Sequence, residues 1–136
     1  MKHHCTAAVL VALVLTGCQT DIAPSAGLGD PYPAPINDPQ ISVLSPELQK
    51  WLAFHPARME MDGDKPLQVE VPLRNLTDRN YQIDYRFLFF DKHDMELRPT
   101  MAWRFANLSP KQVVRLRAGA LSTEAMNYRL EVKWSG

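Results

Sequence analysis

The chain has 136 residues, 46% of them hydrophobic, with 15 basic and 15 acidic side chains in balance. That is enough chain for one domain with a single modest core. The neutral balance leaves no local excess of Lys and Arg for nucleic acid or for a polybasic membrane patch.

The first segment is a leader. Lys2, His3 and His4 give a weakly basic start, and Ala7 to Leu15 form an unbroken apolar run. Nine residues at ~1.5 Å each span roughly 14 Å, half of a ~30 Å hydrocarbon core. The run is too short to cross a bilayer and has the length of a signal h-region. It closes on Leu15-Thr16-Gly17-Cys18, which resembles the lipobox of bacterial lipoprotein precursors. The competing reading is an ordinary secretory signal cut near Ala12 or Gly17, with Cys18 incidental. The cysteine at the end of the h-region, three residues after a leucine, favours the lipobox.

The resemblance implies that residues 1–17 are removed and that Cys18 carries a diacylglyceryl thioether and an N-acyl chain. Cys5 would leave with the leader, so the mature chain would hold neither a free thiol nor a disulfide. Gln19, rather than Asp, follows the cysteine, which by analogy points to the periplasmic leaflet of the outer membrane.

Residues 18–44 read as a tether. Five prolines (24, 31, 33, 35 and 39) and two glycines (27 and 29) stand among few bulky apolar side chains. Such chain favours extended polyproline II and cannot fold alone; the 26 residues after Cys18 would reach about 80 Å as a rod.

The folded domain is expected over residues 45–136, with Ile41-Ser42-Val43 as a short strand ahead of it. Ser45 reads as an N-cap, with Pro46 at the first helical position and Leu48, Trp51 and Leu52 on one face. The spacing predicts a short helix ending near Phe54, stopped by Pro56. Arg58 to Met61 alternates and runs into the turn Asp62-Gly63-Asp64. Leu67, Val69, Val71 and Leu73 alternate with Gln68, Glu70, Pro72 and Arg74, the pattern of a half-buried strand; Pro72 marks a sheet edge or a bulge. Asn75 to Asn80 form a loop, in which Asn75-Leu76-Thr77 reads as a turn with Asn or Thr bonding its own backbone.

Tyr81, Ile83, Tyr85, Phe87 and Phe89 then share one face of a strand. The opposite face turns apolar at Leu88 and Phe90, which need a cover; the Trp51 helix is one candidate, an exposed partner-binding patch another. After a turn at Asp91 to Asp94, strands are expected around Met101 to Ala106 and Gln112 to Arg117. The last strand places Tyr128, Leu130, Val132 and Trp134 inside. Short strands at this spacing without βαβ alternation argue a mainly β domain, an immunoglobulin-like antiparallel β-sandwich with one short helix and no inter-sheet disulfide.

Several of these segments together resemble a known family. The lipobox, Leu73-Arg74-Asn75-Leu76-Thr77, Tyr85-Arg86-Phe87 leading to Phe89-Phe90-Asp91, and Tyr128-Arg129-Leu130-Glu131-Val132 are similar to the YcfL family of small enterobacterial-type lipoproteins. One departure is His93-Asp94, where that pattern has a glycine. The resemblance implies an immunoglobulin-like domain of uncharacterised role in the outer envelope, with gene context linked to cell-wall synthesis.

No catalytic constellation is visible. The mature chain holds only His55 and His93, and neither G-x-S-x-G nor H-E-x-x-H occurs. Asp91, Asp94 and Glu96, like Glu60, Asp62 and Asp64, read as turn chemistry. The expectation is therefore a non-enzymatic interaction module without a cofactor beyond the lipid on Cys18, contacting an envelope protein or the cell wall. The alternative is a periplasmic Cu(I) carrier using His93 and Met95, with Met59 and Met61 as further sulfur ligands. The methionine that such carriers place upstream is replaced by Val71.

Overall fold

Residues 29–136 are described by the structure, a computed structural model. Two sheets pack face to face around one core. The strands are β1 (Ile41–Val43), β2 (Leu52–Phe54), β3 (Arg58–Glu60), β4 (Gln68–Asn75), β5 (Tyr81–Phe90), β6 (Arg104–Leu108), β7 (Val113–Gly119) and β8 (Asn127–Trp134). The first sheet runs β1-β8-β5-β6; the second is built on β4, with β7 on one side and β2 and β3 on the other. Every pairing between strands is antiparallel except β1 with β8. The domain is a mainly β sandwich, as the alternating strands predict.

The core follows the period-two pattern. Val69, Val71 and Leu73 of β4 are buried, as are Ile83, Phe87 and Phe89 of β5 and Tyr128, Leu130 and Val132 of β8. Phe87 is the largest of the fully buried side chains, with its ring centroid 6.4 Å from Phe89 and 6.0 Å from Tyr128. At roughly 25 cal/mol per Å² of apolar surface, this inter-sheet layer is the main source of stability.

The expected helix is a correction. Of its residues Pro46–Lys50 alone are helical, as a 3-10 turn, and Leu52-Ala53-Phe54 continue as a fully buried strand paired with Leu73 to Asn75. Ser45 does not cap with its side chain; its Oγ accepts the Trp134 backbone N–H at 3.0 Å. A helix this short is not stable by itself. Pairing Leu52 to Phe54 with β4 satisfies their backbone and buries all three side chains.

Pro72 sits in the central strand of its sheet, opposite a bulge. Phe54 pairs with Leu73 and Arg58 with Glu70, so three residues, His55 to Ala57, face only two, Val71 and Pro72. The His55 N–H donates to the Pro72 carbonyl at 2.9 Å. The N and O of a strand residue point to the same side, so the donor that Pro72 lacks would have faced this break, where no ladder bond is lost.

Part of the expected tether lies on the domain. Tyr32, Pro33 and Ala34 run antiparallel along the outer edge of β2, with Pro33 opposite Ala53. The Phe54 N–H donates to the Tyr32 carbonyl at 3.0 Å and the Ala34 N–H to the Leu52 carbonyl at 3.2 Å. The Gln49 side-chain amide holds the Ala34 and Pro35 carbonyls. Residues 32 and 34 thus face β2 while Pro33 faces away, so its missing N–H costs nothing. An extended Pro-rich segment is already shaped for a strand edge.

Asn75 and Thr77 are wholly buried. Asn75 Oδ1 accepts the Thr77 N–H at 2.9 Å and the Thr77 hydroxyl at 2.8 Å, while its Nδ2 donates to the carbonyls of Arg79, Ser109 and Leu108. The expected Asx-type turn is present, and its amide also fastens the β6–β7 connection.

Candidate functional site

Cys18 and the leader lie outside the described residues. Leu88 and Phe90 stand on the outer face of β5, where register sets Leu88 opposite Arg129 and Phe90 opposite Asn127. Leu88 is buried and Phe90 half-buried, with the Arg129 guanidinium 5.3 Å from the Phe90 ring. Trp51 does not cover them. It packs instead with Tyr81 and Trp134, ring centroids 6.3 and 5.3 Å away, at the far end of β5. Burial there pushes the Tyr81 phenol well above its usual range.

A second aromatic–cation contact lies on the same outer face. Trp103, just ahead of β6, receives the Arg86 guanidinium at 4.5 Å and the Lys133 ammonium at 4.7 Å from its ring. Arg86 also pairs with Glu131 at 3.4 Å, and its Nε is buried without a hydrogen-bond partner among the described residues. Phe105, opposite Asp84, is 67% exposed. The outer face therefore carries Phe90, Trp103 and Phe105 among Arg86, Arg129 and Lys133. Cation–aromatic pairs contribute about 0.5–1 kcal/mol each when exposed. Here they set flat rings and charges side by side on one sheet face. The expected exposed patch at Leu88 and Phe90 is a correction at Leu88, which is buried, so that of the two only Phe90 is partly open. Trp103 escapes sequence reading, since only strand register brings it over Arg86 and Lys133.

His93 and Met95 occupy the exposed turn after β5. Asp91 Oδ1 accepts the His93 N–H at 2.8 Å and the Met95 N–H at 3.0 Å, and Asp94 adopts φ 60. The Met95 and His93 amides hold the Asp91 carboxyl below its ordinary value. The turn thus places a positive φ at Asp94, a conformation that a short polar side chain tolerates. Met59 and Met61 are exposed on and beside β3 in the other sheet. Among the described residues no three His, Cys, Asp or Glu side chains are grouped to hold a metal ion.

A third constellation ties the N-terminal segment down. The Asp30 side chain is 1% exposed; its Oδ2 lies 2.9 Å from His55 Nε2 and 3.6 Å from Arg74 Nη1, and its Oδ1 accepts the Tyr32 N–H. The Tyr32 ring stands 5.2 Å from that of His55. Burial works to raise the Asp30 pKa. The hydrogen bonds from His55 and Tyr32 and the charges of His55 and Arg74 outweigh it, leaving the carboxyl below 3.8. A carboxylate lowered in the folded state contributes stability above its unfolded value and loses it as pH falls through the native one. Urea midpoints should accordingly drop below about pH 4, and Asp30→Asn should flatten that acid limb. An acid limb unchanged in Asp30→Asn would contradict this account.

A family model described as "Protein of unknown function (DUF1425)" matches residues 40–134. The crystal structure of Campylobacter jejuni Cj0090 is similar, with a TM-score of 0.57 at 23% identity, covering 71% of this chain and 98% of that one. A DUF1425 family member from Shewanella sp. PV-4 is similar at a TM-score of 0.56 and 14% identity, covering 62% of this chain and 79% of that one. No curated protein matches. These likenesses extend to the fold, and by the family match the chain belongs to the DUF1425 family.

Proposed function

We propose that this chain is a non-enzymatic interaction module of the bacterial envelope, of the YcfL type within its family. In this reading a lipid on Cys18 holds it at the periplasmic face of the outer membrane. It contacts an envelope protein or the cell wall through the outer face of β5 and β8. The observation that carries the reading is the Trp103–Arg86–Lys133 contact beside Phe90–Arg129. Partly exposed aromatic and Arg side chains held rigidly are the residue types that supply most binding energy at protein interfaces.

The test is site-specific photo-crosslinking in the native bacterium. A crosslinker at Phe105 should yield a discrete adduct that Trp103→Ala removes. A crosslinker at Val113, on the second sheet, should not yield it. No adduct from residue 105, or the same adducts from both positions, would count against this face. Stoichiometric Cu(I) binding lost in His93→Ala would replace the proposal by the metal-carrier alternative.

A further inference from the structure

We propose that the outer edge of β2 is a strand-addition site for an extended, acidic segment of a partner protein, and that residues 30–35 are a releasable strap occupying it. The inference deepens the interaction-module reading and rests on it only in requiring a partner. The strap itself shows what the site accepts. Two backbone hydrogen bonds, Phe54 N–H to the Tyr32 carbonyl and Ala34 N–H to the Leu52 carbonyl, are the bonds any added strand would make. Side-chain selection comes from the His55–Arg74 corner, where the His55 ring nitrogen at 2.9 Å and the Arg74 guanidinium at 3.6 Å both face a carboxylate held at 1% exposure. A segment without an acid there would leave the partly exposed Arg74 and His55 without their shared counter-charge. Ala34 fills a small buried position, and Gln49 grips the two carbonyls that follow.

The strap is also separable from the sandwich. It contributes only Ala34 to the buried core, whereas the other core residues among those described lie between Leu48 and Val132. Beyond it, Ile36 is 80% exposed and Asn37 adopts φ 60, a loop before β1 that belongs to the other sheet. Lifting residues 30–35 would therefore free the edge of β2 while leaving both sheets paired. Any partner segment must compete with a strand present in the same molecule, so affinity would depend on how firmly the strap is latched.

The experiment uses the chain from Gln19 onward, which contains every core residue among the described ones. Amide exchange at Ala34 and Phe54 should be slow in this chain. In Ala34→Glu, whose side chain does not fit the buried position, both should speed up at least about tenfold, while Val71 and Phe87 stay protected. Asp30→Ala should act in the same direction. Adding the peptide Asp-Pro-Tyr-Pro-Ala-Pro-Ile to either variant should restore protection at Phe54. The same peptide with Asn in first place should bind roughly tenfold more weakly, and the parent chain should bind neither well. Fast exchange at Phe54 in the parent chain would overturn the proposal. So would equal acceleration at Phe87 in both variants, or a peptide that leaves Phe54 unprotected. Crosslinking from Phe105 reads the other face, so either surface can fail alone.

Discussion

Exchanging Asn75 for aspartate should unfold the domain or bring it to the edge of unfolding. The side chain is wholly buried, and its Nδ2 donates to the carbonyls of Arg79 at 2.8 Å, Ser109 at 3.1 Å and Leu108 at 3.3 Å. A carboxylate of the same shape would turn an oxygen toward three carbonyl oxygens, with no donor on that side and no water to dissipate the charge. Breaking a buried polar network so that a charge is left uncompensated costs about 3–5 kcal/mol, against a total of about 5–15 for a domain. Asn75→Ala should be milder, since it strands the same carbonyls but adds no charge. Chemical denaturation with two spectroscopic probes gives both numbers. An Asn75→Asp variant within about 1 kcal/mol of the parent would mean that the network is not what fastens the β4–β5 loop to the β6–β7 turn.

That network shows where sequence reading stops. Asn75-Leu76-Thr77 is legible as a turn because Asn and Thr bond neighbouring backbone, and the Thr77 N–H does reach Asn75 Oδ1. The other half of the Asn75 amide points to Leu108 and Ser109, more than thirty residues away, and no local pattern announces it. The same division runs through the fold. β4, β5 and β8 each bury one face and are plain from their alternation. Leu52-Ala53-Phe54 buries every side chain, so it has no period of its own, and the nearby Ser45-Pro46 made it look helical. Prolines at 31, 33 and 35 signal extended chain truthfully; that the extension lies along β2 depends on a vacant edge and on a His55–Arg74 corner assembled by the fold. Trp103 gains its two cations only through the register that sets Arg86 beside Glu131 and Lys133 beside Asp84.

Replacing Cys18 by alanine should abolish membrane retention, leaving an unprocessed or mislocalised precursor. The apolar run of residues 7–15 spans only about 14 Å as a helix, short of a bilayer. Among the described residues no helix is long and apolar enough to cross a membrane. Under the lipoprotein reading, attachment then falls to the acyl chains on Cys18. Each buried methylene contributes about 0.8 kcal/mol; one chain binds marginally and reversibly, and three hold effectively permanently. Fractionation of the native bacterium reads the loss, and mass spectrometry of the parent protein should find a lipidated Cys18 at the N-terminus with Met1 gone. Unchanged retention of Cys18→Ala, or an unmodified thiol in the parent, would defeat the anchor. The strap adds a length to this picture. With Asp30 latched to His55 and Arg74, eleven residues separate it from Cys18, and the twelve Cα–Cα steps at ~3.6 Å each limit the reach to about 43 Å rather than the 80 Å of a free tether. A partner that displaced the strap would let the domain stand farther from its membrane, so binding at the β2 edge and reach would be coupled through the same six residues.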